Sequence, residues 1–250
     1  MRPTSLPRFP ENSALRVSLF FSNQPYEFDS HLRQLVLSCV ERIEVAVRTQ
    51  MAYVLSMAYN GYWFEDANLF SHQPQHTKAL SSIEDEYQRS DEQFVRSFRR
   101  KYSDPLPPSW ITLEITSFGT MSMIYQNLKP GLPKRDVAAA FGVSDTVFAS
   151  WLHTLVYIRN ICAHHARLWN RTLGVRPLMP RRPHRTFIAQ PTTNTQRVYF
   201  VLAIIRYWLN IIEPGNTLAQ DLTTLFSNYP GVYPGALGFP HNWQQEPLWM

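Results

Sequence analysis

The segment Arg159-Asn160-Ile161-Cys162-Ala163-His164-His165-Ala166-Arg167-Leu168-Trp169-Asn170-Arg171 holds the residue types of this 250-residue chain best suited to chemistry. Read as one helix at about 100° per residue, Asn160, His164, Arg167 and Arg171 fall within about 60° of one another. Trp151, Leu155, Ile158, Cys162 and Trp169 then take the opposite side. Arg159 lies roughly a quarter-turn from the polar stripe, within reach of a common target. A histidine changes protonation near neutral pH and passes protons at useful rates. Guanidinium groups grip phosphate oxygens bidentately and keep their charge. Together these are the parts needed to cleave RNA without a metal: the 2′-hydroxyl attacks, the protein moves protons, and fixed positive charge stabilises the transition state. The segment has no carboxylate, which argues against metal-phosphate and glycosidase chemistry. A plainer reading stays open, in which His164 is a hydrogen-bonded structural residue and the arginines complement a helix C-terminus.

Charge points the same way. Residues 1–125 carry 12 basic and 14 acidic side chains, whereas residues 126–250 carry 12 and 5. Of the 24 basic residues 20 are Arg, and residues 159–185 contain seven of them with no acid. Such concentrated positive charge suits a polyanion. The 44% hydrophobic content excludes global disorder. Two cysteines, Cys39 and Cys162, cannot build a disulfide framework or a Cys-based zinc site. The N-terminus lacks the apolar run of a signal peptide, and the apolar stretch 198–212 is too short for a membrane span and contains Arg206. A reduced, cytoplasmic protein without membrane contact is expected.

The elements that must position the segment read as all-α. Residues 1–28, rich in Pro, Ser and Asn, suggest an irregular arm. From Asp29 or Ser30 as cap, Leu32, Leu35, Val36, Cys39, Val40, Ile43 and Val47 recur at helical spacing, with Gly61 as a stop. Glu41, Glu44 and Arg48 could be catalytic, but a half-buried ion-pair network bracing the bundle, with Glu44 and Arg48 as its i,i+4 pair, suits them better. Residues 71–82 look loop-like, 83–102 helical with Tyr87, Phe94 and Phe98 as anchors, and 112–128 helical again. A short helix over 134–141 precedes a long one from Ser144 or Asp145 to about Arg171. An Arg- and Pro-rich loop (176–195), helices over 197–212 and 217–228, and a tail held by Trp243 and Trp249 complete the chain.

Arg159-Asn160 and His164 resemble the R-N-x-x-x-H form of the RxxxxH motif of HEPN-type ribonucleases. RxxxxH alone is a weak pattern, but the full thirteen-residue string is similar to the Abi-like (AbiD and AbiF type) phage-resistance family. Tyr26-Glu27-Phe28-Asp29 with Leu32-Arg33, the stretch Ile43 to Arg48, Leu106-Pro107 with Trp110, Glu114, Ser117-Phe118-Gly119, Asn127-Leu128, and Gly238-Phe239-Pro240 with Trp243 extend the likeness over residues 26–249. Residues 1–24 do not resemble the Tyr- and Arg-containing region of family members, as a late start, truncation or altered reading frame would explain.

The resemblance implies a HEPN-like helical bundle with extra helices and an irregular C-terminal strap, formed by residues 29–250. It also implies a homodimer in which two motif helices (about 145–171) line one cleft. Arg159 would then bind phosphate, His164 transfer protons and Asn160 orient. His165, Arg167, Asn170 and Arg171 would contact RNA, with Arg176, Arg181, Arg182 and Arg185 as an electrostatic track. Trp169, like Glu44 and Arg48, would be structural, and no cofactor is called for. An RNA-cutting enzyme would harm its own cell, so a neutralising partner, a regulatory RNA or a phage trigger is expected.

Two rivals and a variant remain. Residues 136–152 resemble a helix-turn-helix, with Gly142 in the turn and Ser144 as cap, but residues 144–158 carry no Arg, Lys, Asn or Gln to read bases. A metal site from His153, His164, His165 and His184 lacks workable spacing and an acidic ligand. The variant is a catalytically silent RNA-binding protein.

Overall fold

The computed structural model describes residues 13–189 and 194–250, with side chains from Gln24 onward in the first helix. Helix α1 spans Ser13–Ala58 and is the spine on which most of the others pack. Its buried ridge (Leu32, Val36, Cys39, Val40, Ile43, Val47, Met51 and Leu55) continues the i,i+3/i+4 spacing seen in the sequence. The helix nevertheless starts well before Asp29, so residues 13–28 are not an irregular arm and Asp29 is not a cap. Pro25 lies within this helix. A proline costs a backbone hydrogen bond, and together with the polar composition it hid the continuity. Residues 1–12 lie outside the described part.

Two segments divide differently from expectation. Helix α2 (Gln73–Arg89) begins inside the stretch that looked like a loop, and Ser90 then separates it from α3 (Gln93–Lys101). His72 caps α2, its ring Nδ1 accepting the Gln75 N–H, and Pro74 occupies the first turn, where its missing N–H costs nothing. Tyr87 and Phe98 are buried as expected, but Phe94 is exposed. Residues 112–128 form two helices, α4 (Ser109–Ile115) and α5 (Phe118–Asn127). The break falls where the Ser117 hydroxyl accepts the Thr120 N–H and caps α5.

Helix α6 (Leu132–Ala139) leads through a tight turn into α7 (Asp145–Ala163), capped by Ser144. Gly142 sits in this turn at φ +70°, and a Cβ there would come 2.7 Å from the Tyr207 hydroxyl, so glycine is required twice over. Helix α8 (Val198–Ile212) is buried from Val198 through Leu209, and α9 (Leu218–Asn228) packs on α1. Phe141, Phe148, Trp151, Trp208 and Phe187 form a continuous aromatic cluster joining α7 to α8 and to the loop between them. The tail returns over α8: Trp249 Nε1 donates to the Tyr199 hydroxyl at 3.3 Å, and buried Arg206 donates to the Leu248 carbonyl at 3.3 Å. No strand occurs among the described residues beyond one isolated bridge between Phe70 and Leu128. The fold is all-α, and none of the described helices is long and apolar enough to cross a membrane.

Candidate functional site

Helix α7 carries the front of the motif. Its inner face (Phe148, Trp151, Leu152, Leu155, Ile158 and Cys162) is buried against α1, α5 and α8. Arg159, Asn160 and His164 face outward. The helix stops at Ala163, eight residues before the expected end. His164 is the C-cap, with its N–H donating to the Asn160 carbonyl at 3.0 Å. His165 then adopts φ +54°. The His165 N–H donates to the Cys162 carbonyl (3.1 Å) and the Ala166 N–H to the Ile161 carbonyl (3.0 Å), the paired bonds of a Schellman turn. Glycine usually occupies that left-handed position, so a histidine there is strained by about 1 kcal/mol. Glycine would have marked the stop; His-His concealed it.

Beyond the turn, Arg167 and Arg171 are therefore not on the polar helical stripe that periodicity suggested, nor is Trp169 on the apolar side of the same helix. The loop 166–171 is fixed instead by α1. Asp29, only 4% exposed, accepts the N–H groups of Leu168 (2.9 Å) and Trp169 through one carboxylate oxygen and pairs with Arg33 through the other. Spacing within the motif could not reveal this, though Asp29 belongs to the Tyr26–Asp29 string that carries part of the family resemblance. Trp169 is half-buried against the core. Asn170, at φ +49°, accepts from Arg197 at 3.1 Å through its side-chain oxygen, which ties the loop to the start of α8. Arg171 donates to the Arg167 carbonyl at 3.1 Å.

Arg159 faces a different setting from His164. It lines a cleft of about 380 Å³ with Leu37, Glu41, Glu44, Val45 and Arg48 of α1, and neither Asn160 nor His164 lines it. Five residues along a helix is about 140° around its axis, which explains the separation. Arg48 pairs with Glu44 at 3.1 Å and donates to the carbonyls of Leu113 (2.5 Å) and Thr116 (3.3 Å), joining α1 to α4. The motif segment lacks carboxylates, but the fold supplies Glu41 and Glu44 beside Arg159. Among the described residues, the side chains of Arg159, Asn160, His164 and His165 make no hydrogen bond or ion pair.

The arginine loop runs away from His164. Leu178 is pinned to α7 by its carbonyl, which accepts from Trp151 Nε1 (2.8 Å), and by its N–H, which donates to Ser150 (3.0 Å). Arg181 and Arg182 line a cavity of about 610 Å³ with Ser144, Thr146 and Val147 at the start of α7. At 1.5 Å per residue, the seventeen-residue separation of Val147 and His164 along α7 places that cavity roughly 25 Å from His164. Arg176 donates to Gln196 (3.1 Å) and Arg185 to the Asn210 carbonyl (3.2 Å). His153 and His184 are likewise remote from His164. No group of three or more His, Cys, Asp or Glu that could hold a metal ion occurs among the described residues.

Burial holds the Cys162 thiol up at about 12, with Arg33 and Asp29 acting in opposite directions on it. Burial also raises Cys39, partly offset by Arg42, whose guanidinium lies 3.3 Å from the sulfur. Neither thiol is a nucleophile in the folded chain.

The residues brought together here, from Asp29 of α1 to the turn after α7, lie within one matched span: the family described as Abi-like protein matches residues 22–170. The chain belongs to the Abi-like family. Membership links it to abortive infection and phage defence. The match ends at Asn170, so the arginine loop, α8, α9 and the strap lie beyond it. No curated protein and no solved structure matches the chain. In this Abi-like chain, Arg159, Asn160 and His164 all lie inside the family span, whereas Arg176, Arg181, Arg182 and Arg185 do not. As for the helix-turn-helix reading, the would-be recognition helix is α7, and it is packed on several sides by α1, α5, α6 and α8. The α6–α7 pair is a corner that builds the core.

Proposed function

We propose that this Abi-like chain is a metal-independent HEPN-type endoribonuclease acting as a toxin-like effector in abortive infection. The observation that carries this reading is the end of α7: an exposed histidine at the C-cap, one turn after an exposed asparagine, neither of them tied to another described side chain. Solvent-facing imidazole and amide, with Arg159, Arg167 and Arg171 close in sequence, suit proton transfer beside a bound phosphate.

In the proposed step the RNA 2′-hydroxyl attacks the adjacent phosphorus and loses its proton, the bond from phosphorus to the 5′ oxygen breaks, and that oxygen gains a proton. The products are a 2′,3′-cyclic phosphate and a 5′-hydroxyl. His164 serves proton transfer, Asn160 orients, and guanidinia stabilise charge on the phosphoryl oxygens. A homodimer suits this scheme, because Arg159 and His164 point to different sides of one helix, and a second copy can set one chain's His164 opposite the other's arginines. Release of such an activity in the cell calls for a neutralising partner, a regulatory RNA or a phage trigger.

The test is incubation of wild type, Arg159→Ala and His164→Ala with total RNA in EDTA, with mapping of the ends. Both variants should stay folded and stop cutting, and wild-type products should carry 2′,3′-cyclic phosphates. Cleavage that requires Mg²⁺ would overturn the mechanism. Sequence-specific DNA binding with all RNA left intact would overturn the function.

A further inference from the structure

A second cleft adjoins the one that holds Arg159, sharing Arg48 as a wall. It has a volume of about 380 Å³ and is lined by Arg48, Tyr53, Ser56, Met57, Trp110 and Glu114. Its aromatic walls are turned to solvent, Tyr53 being 64% exposed and Trp110 58%. An exposed indole is normally free to swing, but this one is seated. A Cβ at Gly61 would lie 3.0 Å from Cζ3 and 3.2 Å from Cη2 of Trp110, and the Gly61 carbonyl accepts the neighbouring Ser109 N–H at 2.7 Å. One part of the ring therefore rests on a residue with no side chain while more than half of the Trp110 surface stays open.

The polar groups in the cleft fall into two sets. Arg48 is spent on Glu44 and two carbonyls, and the Ser56 and Ser109 hydroxyls bond each other at 2.7 Å. Glu114, one turn after Trp110 on the same face of α4, has no hydrogen bond or ion pair among the described residues. An open aromatic surface beside an unengaged carboxylate is suited to an unstacked nucleobase. The carboxylate selects among the bases: an ionised carboxylate only accepts, so it needs adjacent donors. Guanine offers two, N1–H and the N2 amino group. Adenine and cytosine each place an acceptor beside their donor, and uracil flanks its single donor with two acceptors.

We propose that this cleft takes a guanine base of single-stranded RNA, stacked on Trp110 and Tyr53 and read by Glu114, while the neighbouring phosphates lie toward Arg159. The proposal rests on the reading that the chain acts on RNA. It adds the base that RNA must present.

The experiment is fluorescence anisotropy of the full chain with short single-stranded oligoribonucleotides whose sugars are all 2′-O-methylated, so that no 2′-hydroxyl attack can occur. One guanine, inosine or adenine is set in a uridine background. Guanine should bind about tenfold more tightly than adenine, with inosine, which lacks the N2 amino group, in between. Glu114→Gln should bring guanine and adenine within about twofold of each other. Trp110→Ala should weaken all three by roughly tenfold, the loss expected of one stacked base. Equal affinity of wild type for guanine and adenine would overturn the proposal. So would a Trp110→Ala chain that keeps its RNA affinities but passes from dimer to monomer in analytical ultracentrifugation, which would assign the face to a second copy. A chain that prefers guanine yet cuts no RNA would sink the ribonuclease reading and leave this one standing; one that cuts RNA but shows no preference would do the reverse.

Discussion

Asp29 and Leu168 are 139 residues apart in sequence, and the carboxylate of the first accepts the backbone N–H of the second at 2.9 Å. The same oxygen accepts from Trp169 while its partner oxygen holds Arg33. One buried carboxylate thus fixes the loop that follows His164 to the longest helix of the fold. Asp29→Ala leaves two backbone donors and a buried guanidinium without partners, and should cost about 3–5 kcal/mol in urea denaturation. Asp29→Asn keeps an acceptor for the N–H groups but loses the ion pair, so the cost should be smaller, about 1–3 kcal/mol. Equal losses for the two variants would mean that the ion pair, not the loop anchor, sets the effect.

His165 predicts an effect of opposite sign. Its φ of +54° is one that side chains with a Cβ resist. His165→Gly should raise stability by about 0.5–1 kcal/mol, less the extra chain entropy glycine brings to the unfolded state. His165→Val, β-branched, should lower it by at least as much. Denaturant midpoints of the three chains check this, and a destabilised glycine variant would show that the imidazole's packing outweighs the strain.

What could be read from sequence was periodic and local. The buried ridge of α1 from Leu32 to Val47, the capped start of α7 at Ser144 and the αα-corner at Gly142 all follow from spacing and turn chemistry. What could not be read was the arrest of α7 at Ala163, since a Schellman turn closed by histidine carries no glycine signal. The partners of the motif were equally hidden. Asp29 bonds the loop after His164 across 139 residues, Glu41 lines the same cleft as Arg159 from another helix, and no spacing rule reaches across the tertiary fold. The Arg loop looked close to His164 only because it follows in sequence; the Trp151–Leu178 bond turns it back along α7.

The two cysteines should be silent in the native protein. Cys39 and Cys162 are fully buried, and burial raises both thiols. An aromatic disulfide reagent at pH 8 should therefore modify neither thiol until denaturant is added, and then both. Cys162 also has a pH signature. From 9.0 in the unfolded chain its thiol rises to about 12 in the fold, so above pH 9 the unfolded state sheds a proton that the folded state keeps. Stability should be indifferent to this group below pH 9 and fall progressively from there toward pH 12. A flat stability profile across that window would mean that Cys162 is not protected as its burial indicates.

The last prediction separates the arginines by place. Arg167 and Arg171 follow the turn at His164, whereas Arg181 and Arg182 stand at the far end of α7 beside Ser144 and Val147. If both sets meet RNA, they do so at different phosphates and to different effect. Arg181→Gln with Arg182→Gln should weaken RNA binding and lower the dependence of log affinity on log salt by about 0.7 for each single-strand phosphate no longer neutralised. The rate at saturating RNA should be unchanged, since the proposed mechanism puts the bond that breaks beside His164, roughly 25 Å from the cavity these two arginines line. Arg167→Gln should reduce that saturated rate and alter the salt slope by no more than one phosphate's share. Binding isotherms at several salt concentrations, with single-turnover cleavage at saturation, distinguish the two. A double variant at Arg181 and Arg182 that slows saturated cleavage about tenfold, roughly 1.4 kcal/mol of barrier, would place the scissile phosphate at the other end of α7 and dethrone His164.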